Sequence, residues 1–544
     1  MTDGPGGSAR RPLTLADAAT SLGTVLDVPA GDDPATAGAR PVTGATLDSR
    51  RVAPGDLYAA LPGANVHGAR FSAQAAAAGA VAVLTDPAGS GDAAAAGVPV
   101  LVVDDPRAVL GELAARVHGR PAERLVTVGV TGTNGKTTTA YLVEALMRRA
   151  GWTTGLLGTV ETRVAGQRVT SVRTTPEAPD LHALLARMVD AGVRGCALEV
   201  SSHALALHRV DGLVLDVAAF TNLSQDHLDF HGSMEEYFAA KARLFTPAHA
   251  RRGVVAVDSA WGRRLAGAAS VPVTTVLTGE DAGGGGAARA DWVVRDVRTG
   301  RAGSSFRLVG ADGAELALTC PLPGAFNVAN AAVAAVAALA AGLDAGQVER
   351  GLAGAEGVPG RMERVSTGAP GEPLVVVDYA HTPEAVERAL AALRPLTTGR
   401  LGVVLGAGGD RDRSKRPLMG AAAARGADVV VVTDDNPRSE VPADVRAAVR
   451  SGADGVAGVD GVDGAAAEVL EVPDRRAAVA AALERCGGAG DTVLLAGKGH
   501  ETGQETAGVV VPFDDRVVAA EELHRRAAAH AAPAVGTSSA GGGS

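Results

Sequence analysis

Short apolar runs alternate with segments of helical periodicity along most of the chain. Runs rich in Val, Leu and Ala end in turn residues, and the segments after them repeat apolar positions with the spacing of one helix face. A short apolar run between turns predicts a fully buried strand, and strand–helix alternation predicts parallel sheets with helices on both faces. The sequence therefore predicts an α/β fold.

At 544 residues the chain is too long for a single hydrophobic core, and a typical domain size of about 150 residues predicts three domains. The pattern places a small N-terminal α/β domain at residues 12–122, a central parallel-sheet domain at 123–357 and a C-terminal Rossmann-like domain at 358–530. The polar ends, 1–11 and 531–544, predict disordered segments. Two Gly-rich stretches, 279–290 and 451–467, predict flexible loops.

Six clusters of polar residues share one position in this pattern, because each follows directly on an apolar run. They are residues 199–203, 221–227, 378–381, 406–411, 434–438 and 497–501. Ligands of open α/β sheets bind outside the carboxyl ends of the strands. The clusters therefore predict two facing site rims, one on the central domain and one on the C-terminal domain.

The strongest single signal runs from Val126 to Thr139, where a β-branched run ends in Gly-Thr-Asn-Gly-Lys-Thr and a helical segment follows. Backbone N–H groups of such a loop cradle phosphates, Lys136 reaches the terminal phosphate oxygens and Thr137 can ligate magnesium. The spacing departs from the common G-x-x-x-x-G-K-[ST] rule, since Val130 stands at its first glycine. The alternative is an ordinary Gly-rich turn with a surface lysine. We favour a P-loop ATPase domain.

Glu199 and His227 are candidate magnesium ligands or water holders beside the phosphates. A hard cation that bridges phosphate oxygens prefers oxygen donors and needs few protein ligands. The alternative interpretation is structural, with Ser201 or Ser202 capping a helix and the histidine hydrogen-bonded in the core.

Lys241 lies on the apolar face of a predicted helix that begins at Ser233. A lysine at this position either extends its amine to the surface or is desolvated with a lowered pKa. A neutral amine can react with carbon dioxide to give a carbamate, which would be an anionic ligand for a second magnesium ion. The pattern does not decide between the two.

The rim predicted on the C-terminal domain carries both signs of charge. Arg411 and Arg438 suit bidentate binding of carboxylates, and Asp435 and Glu501 could hold an ammonium group. Together they offer what a zwitterionic amino acid requires. The alternative is that these surface charges pair with one another.

Composition and charge exclude some classes of binding partner and indicate the cellular location. A formal charge of −10 argues against a general nucleic-acid or membrane-surface binder. The three cysteines have no paired spacing, and the sequence has neither an apolar N-terminal leader nor a run long enough for a membrane span. We expect a cytoplasmic protein, and a monomer.

The order of the motifs resembles the Mur ligases, which build the peptide stem of peptidoglycan precursors. The resemblance covers nearly all of residues 40–525 and rests on these motifs: Leu47-Asp48-Ser49-Arg50, Thr131 to Thr138, Thr174-Thr175-Pro176, Glu199 to His203, Thr221 to Asp229, Gly324 to Asn330, Gly360 to Glu363, Asp378 to Pro383, Gly409 to Asp412, Asp435 to Arg438 and Gly497 to Glu501. Their occurrence together and in this order is highly specific.

The resemblance implies an ATP-dependent amide ligase with Mg²⁺ as cofactor, and it assigns residues to three ligands. It implies that ATP is bound by Gly132, Thr133, Asn134, Gly135, Lys136, Thr137 and Thr138, with Asn330 and Arg361 near the nucleotide. It implies that Leu47 and Ser49 contact the uridine nucleotide and that Thr174, Thr175, Ser201 and Arg209 hold the UDP-N-acetylmuramoyl dipeptide. It implies that the incoming amino acid is bound by Arg411, Asp435, Asn436, Pro437, Arg438, Gly497 and Glu501. Lys136, Lys241 and His227 would be catalytic, and magnesium would be held by Thr137, Glu199, His227 and carbamylated Lys241.

The Asp-Asn-Pro-Arg motif is the version that the family associates with meso-diaminopimelate. Arg438 supplies a physical reason, because its guanidinium could clamp the carboxylate that diaminopimelate has and lysine lacks. Departures at Leu207, Ala64-Asn65-Val66 and Val255 to Asp258 weaken individual substrate contacts. A lysine-adding relative, a folylpolyglutamate synthase and a nucleotide-dependent switch without ligase activity are the alternatives.

Overall fold

The computed structural model describes residues 12–169, 173–279, 290–456 and 466–531. The ends predicted to be disordered lie outside these ranges except for residue 531, as do 280–289 and 457–465 of the two predicted loops. The chain divides into two compact units. The first holds the chain up to Val297 with Phe306–Thr319 and Val328–Ala355, and the second holds Arg298–Ser305, Cys320–Asn327 and the chain from Glu356 onward. The limits of the three predicted domains stay predictions.

The N-terminal part of the first unit is a small α/β layer, as the pattern predicted. Its strands are β1 (Leu26–Asp27), β2 (Gly44–Thr46), β3 (Asp56–Ala59), β4 (Ala82–Thr85) and β5 (Val100–Val102). Its helices are α1 (Leu15–Leu22), α2 (Pro34–Gly38), α3 (Ser72–Ala77), α4 (Ser90–Ala94) and α5 (Pro106–Val117). The strand order is β1-β5-β4-β3-β2, and only β1 runs antiparallel to its neighbour.

An eleven-stranded sheet follows, in the order β16-β15-β14-β13-β12-β11-β6-β10-β7-β8-β9. The strands are β6 (Val126–Thr131), β7 (Thr154–Leu157), β8 (Thr162–Val164), β9 (Gln167–Val169), β10 (Gly195–Glu199), β11 (Val217–Phe220), β12 (Gly253–Ala256), β13 (Val273–Leu277), β14 (Trp292–Gly300), β15 (Gly303–Gly310) and β16 (Glu315–Cys320). The helices are α6 (Lys136–Arg149), α7 (Ala178–Asp190), α8 (Ser202–Ala206), α9 (Leu228–His231), α10 (Met234–Ala242), α11 (Ala260–Ala268), α12 (Ala325–Ala340) and α13 (Ala345–Ala353).

The centre of this sheet is parallel, which confirms the predicted strand–helix alternation. Strands β6, β7 and β10 to β14 pair in parallel, and every residue of β10 and β11 is buried. The short antiparallel strands β8 and β9 extend one edge of the sheet and were not predicted. The parallel centre brings the carboxyl ends of β6, β10 and β11 together at one edge.

The second unit contains a six-stranded sheet and a separate hairpin. Its strands are β17 (Glu363–Arg364), β18 (Leu374–Asp378), β19 (Leu401–Leu405), β20 (Val429–Val432), β21 (Glu468–Glu471), β22 (Thr492–Ala496), β23 (Gly503–Thr506) and β24 (Val509–Pro512). Its helices are α14 (Pro383–Leu393), α15 (Lys415–Gly426), α16 (Pro442–Val456), α17 (Arg475–Arg485) and α18 (Asp515–Ala531). The order is β17-β18-β22-β19-β20-β21, parallel except for β17.

Each of the six apolar runs that precede a polar cluster forms a strand, namely β10, β11, β18, β19, β20 and β22. Their pairing in the two sheets is parallel, so the clusters lie at the carboxyl edge of each sheet. The predicted position of the clusters, along one edge of each of the two sheets, is therefore confirmed.

Candidate active site

The loop between β6 and α6 has the geometry of a phosphate cradle. Helix α6 begins at Lys136 after Gly135, and no described side chain caps its first turn. The first backbone N–H groups of a helix have no intrahelical acceptor, and they carry the positive end of the helix dipole. Gly135 has a φ of 85°, and a Cβ there would lie 2.2 Å from Asn330 Oδ1. Asn330 therefore lies directly against the loop at Gly135, and its role near the nucleotide stays a prediction.

Residues Thr221 and Asn222, at the end of β11, fix the shape of this loop. Thr221 Oγ1 donates to the Asn134 carbonyl at 2.6 Å, and Asn222 Nδ2 donates to the same oxygen at 3.1 Å. In return the Asn134 N–H donates to Asn222 Oδ1 at 3.0 Å. Thr133 Oγ1 accepts from the Ser224 N–H at 3.0 Å. From the sequence, these two residues were placed only in a polar cluster at the end of a strand, and their hydrogen bonds to the phosphate loop were not predicted.

The Lys136 side chain folds back onto the loop that precedes it. Nζ donates to the carbonyl of Gly132 at 2.9 Å and to that of Thr133 at 2.8 Å. Thr138, the second residue after Lys136, is buried in the first turn of α6. The lysine charge is thus placed beside the helix N-terminus, where an anion would be bound.

Glu199 and Thr137 are brought together as the sequence predicted. Thr137 Oγ1 donates to Glu199 Oε2 at 2.9 Å. Thr159, which the sequence analysis missed, donates its backbone N–H to Glu199 Oε1 at 2.7 Å and its hydroxyl to Oε2 at 3.1 Å. Glu199 is only 1% exposed. The structural alternative was a helix cap rather than a carboxylate in the site, and Ser201 does cap α8, accepting from the Ala204 N–H.

Lys241 is buried rather than extended to the surface. Its side chain is 1% exposed, and Nζ donates to the Gly132 carbonyl at 2.8 Å and lies 4.5 Å from the centre of the Tyr237 ring. Burial, assisted by the charge of Lys136, lowers the pKa of Lys241 well below 10.5. The desolvated alternative is therefore the one that the structure favours. Ser233 caps the N-terminus of α10, accepting from the Glu236 N–H, so the helix starts where it was predicted to start.

His227 lies near Tyr237 and His203, and the structural alternative of a histidine buried in the core does not hold. Its side chain is 47% exposed, and its ring lies 6.4 Å from that of Tyr237 and 4.8 Å from that of His203. Its backbone is left-handed, with a φ of 53°. Burial and the charges of Lys136 and Lys241 lower the pKa of His227 against the opposing effect of Asp226. A neutral imidazole is the form that can bind a metal ion or accept a proton.

Three of the four residues expected to hold the muramoyl dipeptide, Thr174, Thr175 and Ser201, lie next to Glu199. Thr174 Oγ1 lies 3.0 Å from Thr159 Oγ1, and Thr175 Oγ1 donates to the Glu199 carbonyl at 2.8 Å. The Ser201 N–H donates to Thr175 Oγ1 at 3.1 Å. Arg209, the fourth residue, has its Nε 3.0 Å from Glu177 Oε1, which Arg173 also contacts, while Arg107 contacts Oε2 of the same carboxylate.

The residues expected to contact uridine lie in the N-terminal layer. Ser49 Oγ donates to Gln74 Oε1 at 3.1 Å, and Leu47 is half-buried against the core of that layer. Nothing in these contacts distinguishes a uridine site from an ordinary turn, so the assignment stays a prediction.

In the second unit, the cluster that follows β20 contacts the cluster that follows β22. Asn436 Nδ2 donates to Glu501 Oε2 at 2.7 Å. A Cβ at Gly497 would lie 2.5 Å from Asp435 Oδ2, so these two loops touch at that point. Lys498 was named only as part of a motif, yet it is fully buried between Asp435, Asn436 and Glu501. A lysine between two glycines directly after a buried strand was the missed signal.

The two arginines of this rim lie on neighbouring loops. Arg438, two residues beyond Asn436 and just after Pro437, donates from Nη1 to the Gly409 carbonyl at 2.6 Å. A Cβ at Gly408 would lie 3.0 Å from Arg438 Nη1 and 3.8 Å from Arg411 Cγ. Arg411 is exposed, whereas Arg438 is half-buried. Arg361 also belongs to the second unit, with its guanidinium 4.3 Å from the Tyr379 ring centre.

The residues of the first unit fit a nucleoside triphosphate with a magnesium ion. The cradle has no room for a side chain at Gly135, and the hydroxyl of Thr137 and the carboxylate of Glu199 offer oxygen donors 2.9 Å apart. Within the described ranges, no group of three or more His, Cys, Asp or Glu side chains could hold a metal ion by itself. Mg²⁺ typically takes one or two carboxylates and completes its shell with water and phosphate oxygens, so this donor set suits it.

No helix among the described residues is long and apolar enough to cross a membrane.

Comparison with known proteins gives matches over most of the chain. Residues 41–118 match the Mur ligase family catalytic domain, residues 130–338 the Mur ligase middle domain and residues 360–499 the Mur ligase glutamate ligase domain. The UDP-N-acetylmuramoyl-L-alanyl-D-glutamate–2,6-diaminopimelate ligase of Streptomyces coelicolor is 54% identical over 488 residues, which cover 90% of this chain and 94% of that protein. The UDP-N-acetylmuramyl-tripeptide synthetase of Leifsonia xyli is 48% identical over 87% of this chain and 90% of its own. A solved UDP-N-acetylmuramoyl-L-alanyl-D-glutamate–2,6-diaminopimelate ligase is 32% identical, with a TM-score of 0.67, and the match covers 95% of this chain and all of that one.

Proposed function

This chain belongs to the Mur ligase family, and we propose that it is the ligase that adds meso-2,6-diaminopimelate to UDP-N-acetylmuramoyl-L-alanyl-D-glutamate. The observation that carries the proposal is the 54% identity to such a ligase over 90% of the chain, together with an Asp-Asn-Pro-Arg sequence at the rim of the second unit. The enzyme is an ATP-dependent, ADP-forming amide ligase of peptidoglycan precursor synthesis. Through that product it would serve cell-wall growth, cell shape and division.

The first half of the reaction activates the D-glutamate side chain. The γ-phosphoryl group of ATP passes to the side-chain carboxylate, which gives an acyl phosphate and ADP. Lys136 and the N-terminus of α6 stabilise the charge on the phosphates, so catalysis there rests on positioning and electrostatics. Thr174, Thr175, Ser201 and Arg209 would hold the muramoyl dipeptide on the same side of the sheet as Glu199.

The second half of the reaction forms the amide. The amine of meso-diaminopimelate attacks the acyl phosphate, and the tetrahedral intermediate collapses to amide and inorganic phosphate. Arg411 and Arg438 would bind carboxylates of the incoming amino acid, while Asp435 and Glu501 would face its ammonium group. Asn436 and Gly497 hold the two loops that present them.

Magnesium would be held by Thr137, Glu199 and His227, with a carbamate on Lys241 as a further ligand. The ion supplies Lewis-acid neutralisation of the phosphate oxygens. Supporting observations are the oxygen donors on Thr137 and Glu199 and the buried amine of Lys241, whose lowered pKa leaves a nucleophilic free amine. The cytoplasmic location and the monomeric state are predictions from sequence alone.

The alternatives are weaker. A folylpolyglutamate synthase would have no use for the region that matches the Mur ligase catalytic domain at residues 41–118. A lysine-adding enzyme would not need a guanidinium at position 438. A nucleotide switch without ligase chemistry would not need an amino-acid rim in the second unit.

The test is to follow ADP release with each substrate omitted in turn, and to identify the product by mass spectrometry. We expect ADP only when the UDP-linked dipeptide and meso-diaminopimelate are both present, with the UDP-linked tripeptide as product. With ¹⁸O in the D-glutamate side-chain carboxylate, one labelled oxygen should appear in the released phosphate. ADP release without the amino acid would favour the switch, and unlabelled phosphate would exclude the acyl phosphate.

A further inference from the structure

Lys498 is a completely buried cation at the carboxyl ends of β20 and β22. Its Nζ donates to Asn436 Oδ1 at 3.2 Å and lies 3.5 Å from Glu501 Oε2 and 3.7 Å from Asp435 Oδ1. A buried charge is costly unless it is paired and hydrogen-bonded. Here the pairing comes from three side chains on two separate loops, so the ammonium group links those loops.

The backbone is built to bring this lysine inward. Gly497 has a φ of +110°, and a Cβ there would lie 2.5 Å from Asp435 Oδ2. Any side chain at position 497 would therefore be strained and would press against the carboxylate. The turn keeps Lys498 and Asp435 next to each other.

Glu501 is held on one side and open on the other. Its Oε2 accepts from Asn436 Nδ2 at 2.7 Å and faces Lys498, yet 32% of its side chain is exposed. A ligand can therefore reach a carboxylate whose orientation is already fixed. The Asn436 amide completes the arrangement, because its Oδ1 accepts from both Lys498 and the Glu505 N–H.

A second buried cation in the same unit, Arg475, has a purely structural role and serves as a comparison for Lys498. Arg475 forms two hydrogen bonds to Asp515, at 2.8 and 2.7 Å, and donates to the Ala496 carbonyl at 3.0 Å. Both Arg475 and Asp515 are fully buried, so the pair is closed to ligands. The charge of Arg475 also acts on Asp435 and Glu501, but its hydrogen-bonded carboxylate is Asp515. Lys498 differs because its Nζ lies within 3.7 Å of both Asp435 and Glu501, the groups expected to meet the substrate.

The choice of lysine is itself informative. The chain has 51 lysines and arginines, and only four of these are lysines: Lys136, Lys241, Lys415 and Lys498. Two of the four lie at the phosphate loop. In a chain that uses arginine for almost every other cation, a lysine inside the second rim indicates a need for a compact, point-like charge.

We propose that Lys498 is a positioning residue that sets the charge of the amino-acid subsite and orients Glu501 toward the ammonium group of the substrate's distal amino-acid end. Asp435 and Glu501 contribute two negative charges and Lys498 one positive charge, so the group carries a net charge of −1. One ammonium group neutralises it, and the neighbouring Arg438 then takes the carboxylate of the same amino-acid end. This inference rests on the proposed function, because it assumes that the second unit binds a diamino diacid.

The experiment compares the full-length wild type with Lys498→Met on two amino-acid substrates, meso-diaminopimelate and L-2-aminopimelate. The second compound keeps both carboxylates but lacks the distal ammonium group. We expect wild type to prefer meso-diaminopimelate clearly. In the variant, kcat/KM for meso-diaminopimelate should fall at least 30-fold, mainly through KM, while that for L-2-aminopimelate should change less than threefold. The KM values for ATP and for the UDP-linked dipeptide should stay within twofold.

Two further variants separate positioning from stability. Val479→Ala removes core volume from α17 in the same unit, where it should lower the unfolding temperature without changing the substrate preference. Lys498→Gln keeps a hydrogen-bond donor without the charge and serves if the Met variant does not fold, with an intermediate loss expected for meso-diaminopimelate alone. Equal losses on both amino acids, or no loss on either, would overturn the proposal. Failure of wild type to use meso-diaminopimelate at all would instead contradict the proposed function.

Discussion

The amine of Lys241 donates a hydrogen bond of 2.8 Å to the carbonyl oxygen of Gly132, the glycine that opens the phosphate loop. This contact ties α10 to the loop between β6 and α6. A carbamate on Lys241 would keep one N–H, so the same hydrogen bond can persist while the new carboxylate offers oxygen ligands. The site can therefore accept the modification without losing the contact that shapes it.

Replacing Lys241 tests whether an anion is needed at its position. Lys241→Ala should lose activity by on the order of 100-fold, because charge stabilisation of the phosphates is lost. Acetate or formate should restore part of the activity, since the space left by the side chain admits a short carboxylate. Lys241→Met fills that space and is the matched control, in which we expect the same loss without rescue. Full activity of Lys241→Ala in carboxylate-free buffer would refute the carbamate.

The stability of the protein should depend on pH through the same residue. Burial lowers the pKa of Lys241 well below 10.5, so between these two values the unfolded chain binds more protons than the folded one. Stability therefore rises with pH in that window, by at most about 1.4 kcal/mol per pH unit. In buffer free of carbon dioxide, the unfolding temperature of wild type should rise relative to that of Lys241→Met as the pH is raised from 7 to 9. A constant difference between the two proteins would show that Lys241 does not titrate in this way.

Lys136 should be indispensable for turnover but not for folding. Its ammonium group donates to two carbonyls of the loop, at 2.9 and 2.8 Å, and its side chain is only partly buried. Lys136→Ala should reduce ADP release by about 10³-fold, as expected for loss of a charge that stabilises the transferred phosphoryl group. Lys415→Ala, at a half-buried position in the second unit where the amine donates to the His381 carbonyl, is the control and should stay near wild type. An active Lys136→Ala enzyme would remove the phosphate loop from the mechanism.

Arg438 should decide between diaminopimelate and lysine. Its backbone is left-handed, with a φ of 52°, so asparagine is the replacement that tolerates the backbone while removing the guanidinium. Arg438→Asn should lower kcat/KM for meso-diaminopimelate by on the order of 10³-fold, because a carboxylate is left without its partner. Activity with L-lysine should hardly change. Arg413→Asn removes an exposed arginine that pairs with Glu440 on the same face, and its effect on either substrate should be small.

The sequence predicted the sheets and rims well because their signals are local. Every polar cluster after an apolar run lies at the end of a parallel strand. Each strand is indicated by its own apolar run, and the helical segments between strands provide the crossovers that parallel pairing requires. The phosphate loop, with Lys136 and Thr137, was found in the same way. The antiparallel strands β8 and β9 were not, because short edge strands gain their stability from pairing with β7 rather than from their own pattern.

The parts of the site that were missed depend on contacts between distant segments. Thr159 meets Glu199 across forty positions of sequence, and Lys498 meets Asn436 across sixty-two. For Lys241 the helical pattern gave two equal outcomes, and only the depth of α10 in the packed unit decided between them. Spacing along the chain carries none of this information, because it is created when the sheets bring their loops together.

The most direct test of the account is the rate of ADP release by wild type with the UDP-linked dipeptide and equal concentrations of either meso-diaminopimelate or L-lysine. We predict a preference for meso-diaminopimelate of at least about 100-fold, since L-lysine lacks the carboxylate that the guanidinium of Arg438 would bind. Equal rates, or a preference for L-lysine, would contradict both the assignment of Arg438 and the proposed identity of the third stem residue.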